Sequence, residues 1–79
     1  MTKFDYSAPA ELFSCTSRGS RRTSVRYRRF ATGAEAIRYA VEVLPAAQLA
    51  GAILEVDEER FDGRQIQELY HHHEYPLSR

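Results

Sequence analysis

The chain has 79 residues, 43% of them hydrophobic and ten of them alanine, and its eleven basic and eleven acidic side chains cancel. A chain this short forms one compact unit that buries only roughly 60–65% of its unfolded surface, with no room for a separate substrate or cofactor domain. Zero net charge excludes the strongly cationic profile of a dedicated nucleic-acid protein and the acidic profile of a disordered tail.

Residues 1–9 read as an irregular lead-in to a single domain spanning 1–79. Met1–Asp5 lacks the basic region and apolar run of a secretory leader, and Pro9 removes a backbone donor and biases Ala8 toward an extended conformation. From Glu11 to Thr16, Phe13 and Cys15 alternate with Leu12, Ser14 and Thr16. This period of two predicts strand one, with Phe13 and Cys15 turned inward. Ser17–Thr23 is a polar turn in which Gly19 supplies a positive φ. Strand two then runs from Ser24 to Phe30, with Val25 and Tyr27 inward and Arg26 and Arg28 outward, and the pair closes as a hairpin with a loop of about seven residues.

Thr32 and Glu35 have the spacing of a capping box, and Ile37, Ala40, Val41 and Leu44 follow at the spacing of a buried helical stripe. Pro45 ends that first helix, and Ala46–Ala50 reads as a short helical turn. Gly51–Val56 is expected to be strand three, with Ala52, Leu54 and Val56 inward and Ile53, Glu55 and Asp57 outward. The second helix begins with Asp62 as cap, Gln65 at its third position and Phe61 and Ile66 as a hydrophobic staple. Ile66, Leu69 and Tyr70 form its buried stripe, Pro76 limits it, and residues 74–79 are expected to fray. The expected fold is α+β in the order β-β-α-β-α: a three-stranded sheet, strand order two-one-three, with two helices packed on one face. The opposite face then carries Leu12, Ser14, Thr16, Arg26, Arg28, Ile53 and Glu55.

Zero net charge conceals an asymmetry. Residues 1–30 hold seven basic against two acidic side chains, and residues 31–79 hold four against nine. Arg18, Arg21, Arg22, Arg26 and Arg28 cluster on the hairpin with Tyr27 interleaved, as residues that track phosphates do, and aromatics on an exposed sheet stack bases. The plainer reading is a solvated strand face, or one whose Arg26 and Arg28 pair with Glu55 or Asp57. His71, His72 and His73 suggest a metal, but successive helical positions diverge by about 100° and do not converge on one ion. They are read instead as a helix terminus opposite Glu68. Cys15, the single cysteine, rules out an internal disulfide, fits a cytoplasmic setting, and is read as a small buried hydrophobe rather than a nucleophile. Asp57–Glu58–Glu59 lacks the spaced oxygen ligands of a calcium loop and reads as a solvated turn.

The segments Phe4–Phe13, Tyr27–Phe30 with the helix after it, and Leu54–Gly63 resemble a group of short bacterial proteins of unknown function. The resemblance spans nearly the whole chain. It implies a free-standing small protein and brings no activity, substrate or cofactor with it.

With no phosphate-cradling glycine loop, carboxylate pair or metal spacing, the sequence points away from an enzyme and names no cofactor or metal. No run approaches the roughly 18–20 apolar residues of a membrane span. The expected function is a small soluble protein-interaction or regulatory module, with an unidentified protein or a second copy as partner. The alternative is an RNA- or DNA-binding accessory protein acting through the arginines between Arg18 and Arg29.

Overall fold

The computed structural model describes residues 4–18 and 22–77, with backbone alone for 15–18 and 22–24. Along the chain run β1 (Ala10–Arg18), β2 (Arg22–Phe30), α1 (Gly33–Glu42), α2 (Ala46–Ala50), β3 (Ile53–Val56), β4 (Glu59–Asp62) and α3 (Gly63–His71). The strands form one antiparallel sheet in the order β2-β1-β3-β4. Strand one therefore lies between strands two and three as expected, while among the described residues the sheet has four strands rather than three and the helices number three rather than two.

The additional strand, β4, follows a tight turn at Asp57 and Glu58, whose φ values are 53° and 68°. Two left-handed central residues twist a two-residue connection to match the flanking strands, a geometry normally marked by Asn-Gly or Asp-Gly. Here two acidic residues carry it, so the usual glycine is missing from the sequence pattern. Within β4 only Phe61 is apolar and partly buried, which leaves no alternation to read. Strands β1 and β2 also extend to Arg18 and Arg22, and this shortens the expected loop to residues 19–21, outside the described residues.

The hairpin faces the opposite way from the expectation. Leu12 pairs with Leu54 and Phe13 with Ile53, so Leu12 shares the side of Leu54, buried beneath the helices. Ala10, Leu12 and Ser14 are 1%, 2% and 5% exposed, while Val25 and Tyr27 lie on the uncovered side. Alternation gave the period correctly, but the period alone does not say which face is covered, and a one-residue slip reverses every side chain. The cross-strand register decides it.

Helix α1 lies close to the sheet through Ala36, Ile37 and Ala40, all fully buried, and the largest buried side chains of the core are Leu12, Ile37, Leu54 and Ile66. Thr32 caps α1, its hydroxyl oxygen accepting from the Glu35 amide at 3.2 Å. At α3 the box is complete: the Asp62 carboxylate accepts from the Gln65 amide at 2.9 Å and the Gln65 side chain accepts from the Asp62 amide at 3.0 Å. Gly63 then opens α3 against α2 so closely that a Cβ there would lie 2.1 Å from the Leu49 carbonyl oxygen.

Both ends of the described chain are tied down by aromatics. Phe4 packs edge-on against Tyr6 and Phe61, and Tyr75 packs against Tyr6 and Tyr70, with centroids 4.8–5.7 Å apart. The Tyr6 hydroxyl donates to the Leu69 carbonyl and that of Tyr75 to the Ala34 carbonyl. Residues 74–77 are thus not a frayed tail, since Tyr75 is 7% exposed and Leu77 packs on the core. Among the described residues no helix is long and apolar enough to cross a membrane.

Candidate functional site

Beyond Phe13, β1 loses β3 as a neighbour, because their pairing covers only Glu11–Phe13. From Ser14 to Arg18 it pairs with β2 alone, over residues 22–26. The sheet thereby narrows to a two-stranded ribbon about 16 Å long at 3.3 Å per residue. The two sides of the ribbon, and of the sheet it grows from, differ in chemistry.

The side away from the helices is apolar at its centre. Phe13 sits between Tyr27 and Ile53 in register, its ring centroid 5.2 Å from that of Tyr27, and Val25 lies one step nearer the ribbon tip. Val25 is 65% and Tyr27 54% exposed, large values for apolar bodies in a chain with so little core to spend. A polar row, Arg29, Glu11, Glu55 and Arg60, borders them across all four strands. The Tyr27 hydroxyl donates to Glu11 Oε2 at 2.8 Å. That hydrogen bond, reinforced by partial desolvation and the Glu11 charge, pushes the phenol above its ordinary pKa.

The other side carries the arginines. Arg18 is directly opposite Arg22, Thr16 opposite Ser24, Ser14 opposite Arg26 and Leu12 opposite Arg28. Positions 18, 22, 26 and 28 therefore share one side of the ladder with three hydroxyl residues, while Arg21 lies outside the described residues. The Arg28 guanidinium sits 4.7 Å over the Tyr39 ring and 5.4 Å from that of Phe30. The expected pairing of Arg26 and Arg28 with Glu55 or Asp57 does not occur. Glu55 is on the opposite side of the sheet beside Arg60, and Asp57 is in the distant β3–β4 turn. Nor is Tyr27 interleaved with Arg26 and Arg28 on one surface, since it occupies the reverse side.

The remaining candidates stay separate. His72 and His73 stack on each other, with centroids 4.5 Å apart, and the His72 Nδ1 accepts from the Glu74 amide. His71 instead packs edge-on against Tyr70. Helix α3 ends at His71, and Glu68 pairs with Arg64 rather than with His72. Among the described residues no three His, Cys, Asp or Glu side chains are grouped to hold a metal. Cys15 is opposite Val25 in the ladder; the expectation that its thiol is buried lies outside the described residues. A shallow groove beside the start of α1 is lined by Tyr6, Ser7, Thr32, Ala34 and Leu77 together with Asp5. The Ser7 hydroxyl and amide hold the Asp5 carboxyl below its usual pKa range, so a negative charge guards that groove.

The sequence reading placed the arginines on the hairpin but missed the apolar surface behind them. The signal available was the Leu12–Leu54 match: two leucines in neighbouring strands belong to one buried face, and their alignment turns Phe13, Val25 and Tyr27 outward. No protein family matches the chain, no curated protein matches it, and no solved structure matches it.

Proposed function

We propose that this chain is a small non-catalytic protein-interaction module that docks a partner protein on the uncovered sheet face around Phe13, Val25, Tyr27 and Ile53. The observation that carries the reading is the exposure of Val25 and Tyr27 beside Phe13. Exposed aromatic and aliphatic side chains grouped on a rigid sheet, with a polar border, have the anatomy of an interface centre and rim. Tyr27 supplies a large contact area at low entropic cost, and its hydroxyl is already oriented by Glu11.

The test is site-specific photo-cross-linking in the native cell. A photoreactive side chain at Val25 is expected to give a discrete protein adduct, while the same group at Gln67, exposed on α3, gives none. Absence of an adduct at Val25, or the same adduct from both positions, refutes the docking face.

A further inference from the structure

We infer that the docked partner presents an extended acidic segment, which joins the outer edge of β2 as a fifth strand; this rests on the docking reading above and names what docks. Among the described residues no strand pairs with that edge. The ladder between β2 and β1 runs without a bulge from Arg22 to Phe30, and β2 holds neither proline nor glycine. Natural sheets blunt an exposed edge by shortness, proline, bulges, a covering element or charge. The opposite edge, β4, is four residues long and runs directly into α3. Strand β2 is long and regular, and charge is what it carries.

In strand addition the backbone supplies affinity, and alternate side chains supply selection. From Val25 to Arg29 every residue of β2 is exposed, and this stretch carries three arginines and no acid. Among the described residues no carboxylate forms an ion pair with Arg26, Arg28 or Arg29. Glu11 is directly opposite Arg29 but accepts from the Tyr27 hydroxyl instead. The Arg28 guanidinium is held over the Tyr39 ring. An added strand sets its own side chains beside these, and opposite charges attract across a ladder while like charges repel. Positions next to Arg26 and Arg28, on the helix side, therefore select aspartate or glutamate. Those next to Val25 and Tyr27, on the uncovered side, select β-branched or aromatic residues. The partner segment thus alternates acidic with apolar residues. A second copy of this chain would bring three more arginines to the same edge, so charge selects a different chain.

The probe is a peptide of about eight residues alternating glutamate with valine, long enough to cover Val25–Phe30 at roughly 3.3 Å per residue. On its addition, amide hydrogen exchange followed by NMR should slow at alternate β2 residues between Val25 and Arg29, and fluorescence anisotropy gives the affinity. Replacing the glutamates with lysine, or introducing Arg26→Glu in the protein, should weaken binding roughly tenfold. With the lysine peptide, Arg26→Glu should instead strengthen it. N-methylation of the central peptide residues removes backbone donors while keeping every charge, and should abolish binding. Circular dichroism confirms that Arg26→Glu is folded; the peptide comparisons use the parent protein and do not depend on that variant. Equal binding of the lysine or the N-methylated peptide, no slowing at β2, equal weakening by Arg64→Glu, or tighter binding of an RNA of the same net charge overturns the inference. So does slowing at β2 in the protein alone that rises with protein concentration, because it places a second copy on that edge. The cross-link at Val25 is read separately. An adduct there without edge protection by the acidic peptide removes strand addition alone, and absence of the adduct removes the docking reading on which it rests.

Discussion

At the level of Leu12 the sheet is four strands wide and covered by helices; four residues further along β1 it is two strands wide. The first region is held by burial. Leu12, Ile37, Leu54 and Ile66 are at most 2% exposed, and aromatic contacts tie both ends of the described residues over them. The ribbon, Ser14–Arg18 against residues 22–26, rests on ladder hydrogen bonds, and at its base the Arg28 guanidinium lies against Phe30 and Tyr39. An isolated two-stranded hairpin is at best marginally stable in water, so the body must hold the base of the ribbon in place. Val25, 65% exposed on the uncovered side, is then free to vary at little cost to the fold.

The sharpest way to break that contrast is to truncate one side chain from each region. Ile66→Ala is expected to cost about 4 kcal/mol through lost burial and the cavity left behind, whereas Val25→Ala should stay within about 0.5 kcal/mol. Urea unfolding of both variants measures the difference, and comparable losses would show that the exposed face also supports the fold. Gly63→Ala comes next, at about 3 kcal/mol, because an added Cβ would lie 2.1 Å from the Leu49 carbonyl oxygen and backbone must shift to admit it. Thermal unfolding reads this; a neutral result would mean that α2 shifts easily.

The caps come third. Asp62→Ala, which removes one half of a reciprocal pair, should cost about 1.5 kcal/mol and Thr32→Ala about 1 kcal/mol, compared by denaturation at neutral pH. Glu58→Gly goes the other way and should gain about 1 kcal/mol by relieving the left-handed backbone at φ 68°, seen as a higher melting temperature. The smallest effect is on the ribbon's apolar side. Because the folded-state pKa of Tyr27 is raised, the contribution of its hydrogen bond to Glu11 is fully present below pH 10 and is lost as pH rises through the folded value. Titration of the ring by NMR should place Tyr27 above 10.0, and Glu11→Gln should move it back toward the ordinary value.

What the sequence made legible followed from local chemistry. Thr32 and Asp62 cap helices that begin one residue later, Pro45 separates α1 from α2, and Ala52, Leu54 and Val56 point inward. Each depends on neighbours within a few positions. What stayed hidden depends on distant residues. The covered face of β1 is set by its alignment with β3, some forty residues on; β4 is defined by its pairing and an unusual turn; and Gly63 is required by the backbone of α2. The candidate site divided in the same way. The arginine cluster was visible in the sequence, but its grouping on one side of the ladder, and its separation from Tyr27, belong to the register.

The position of β2 at the rim of the sheet has a further consequence. Among the described residues no strand pairs with the outer edge of its nine residues, and such a rim invites another copy to add on and continue the sheet into an aggregate. Antiparallel stacking of two β2 rims centred on Tyr27 would set Arg26 of one chain against Arg28 of the other, so the guanidinium charges repel the addition. Charges at such a rim are of the kind that act as gatekeepers against strand addition. Variants that neutralise them carry an aggregation hazard unrelated to any ligand, and their behaviour is best compared at low protein concentration.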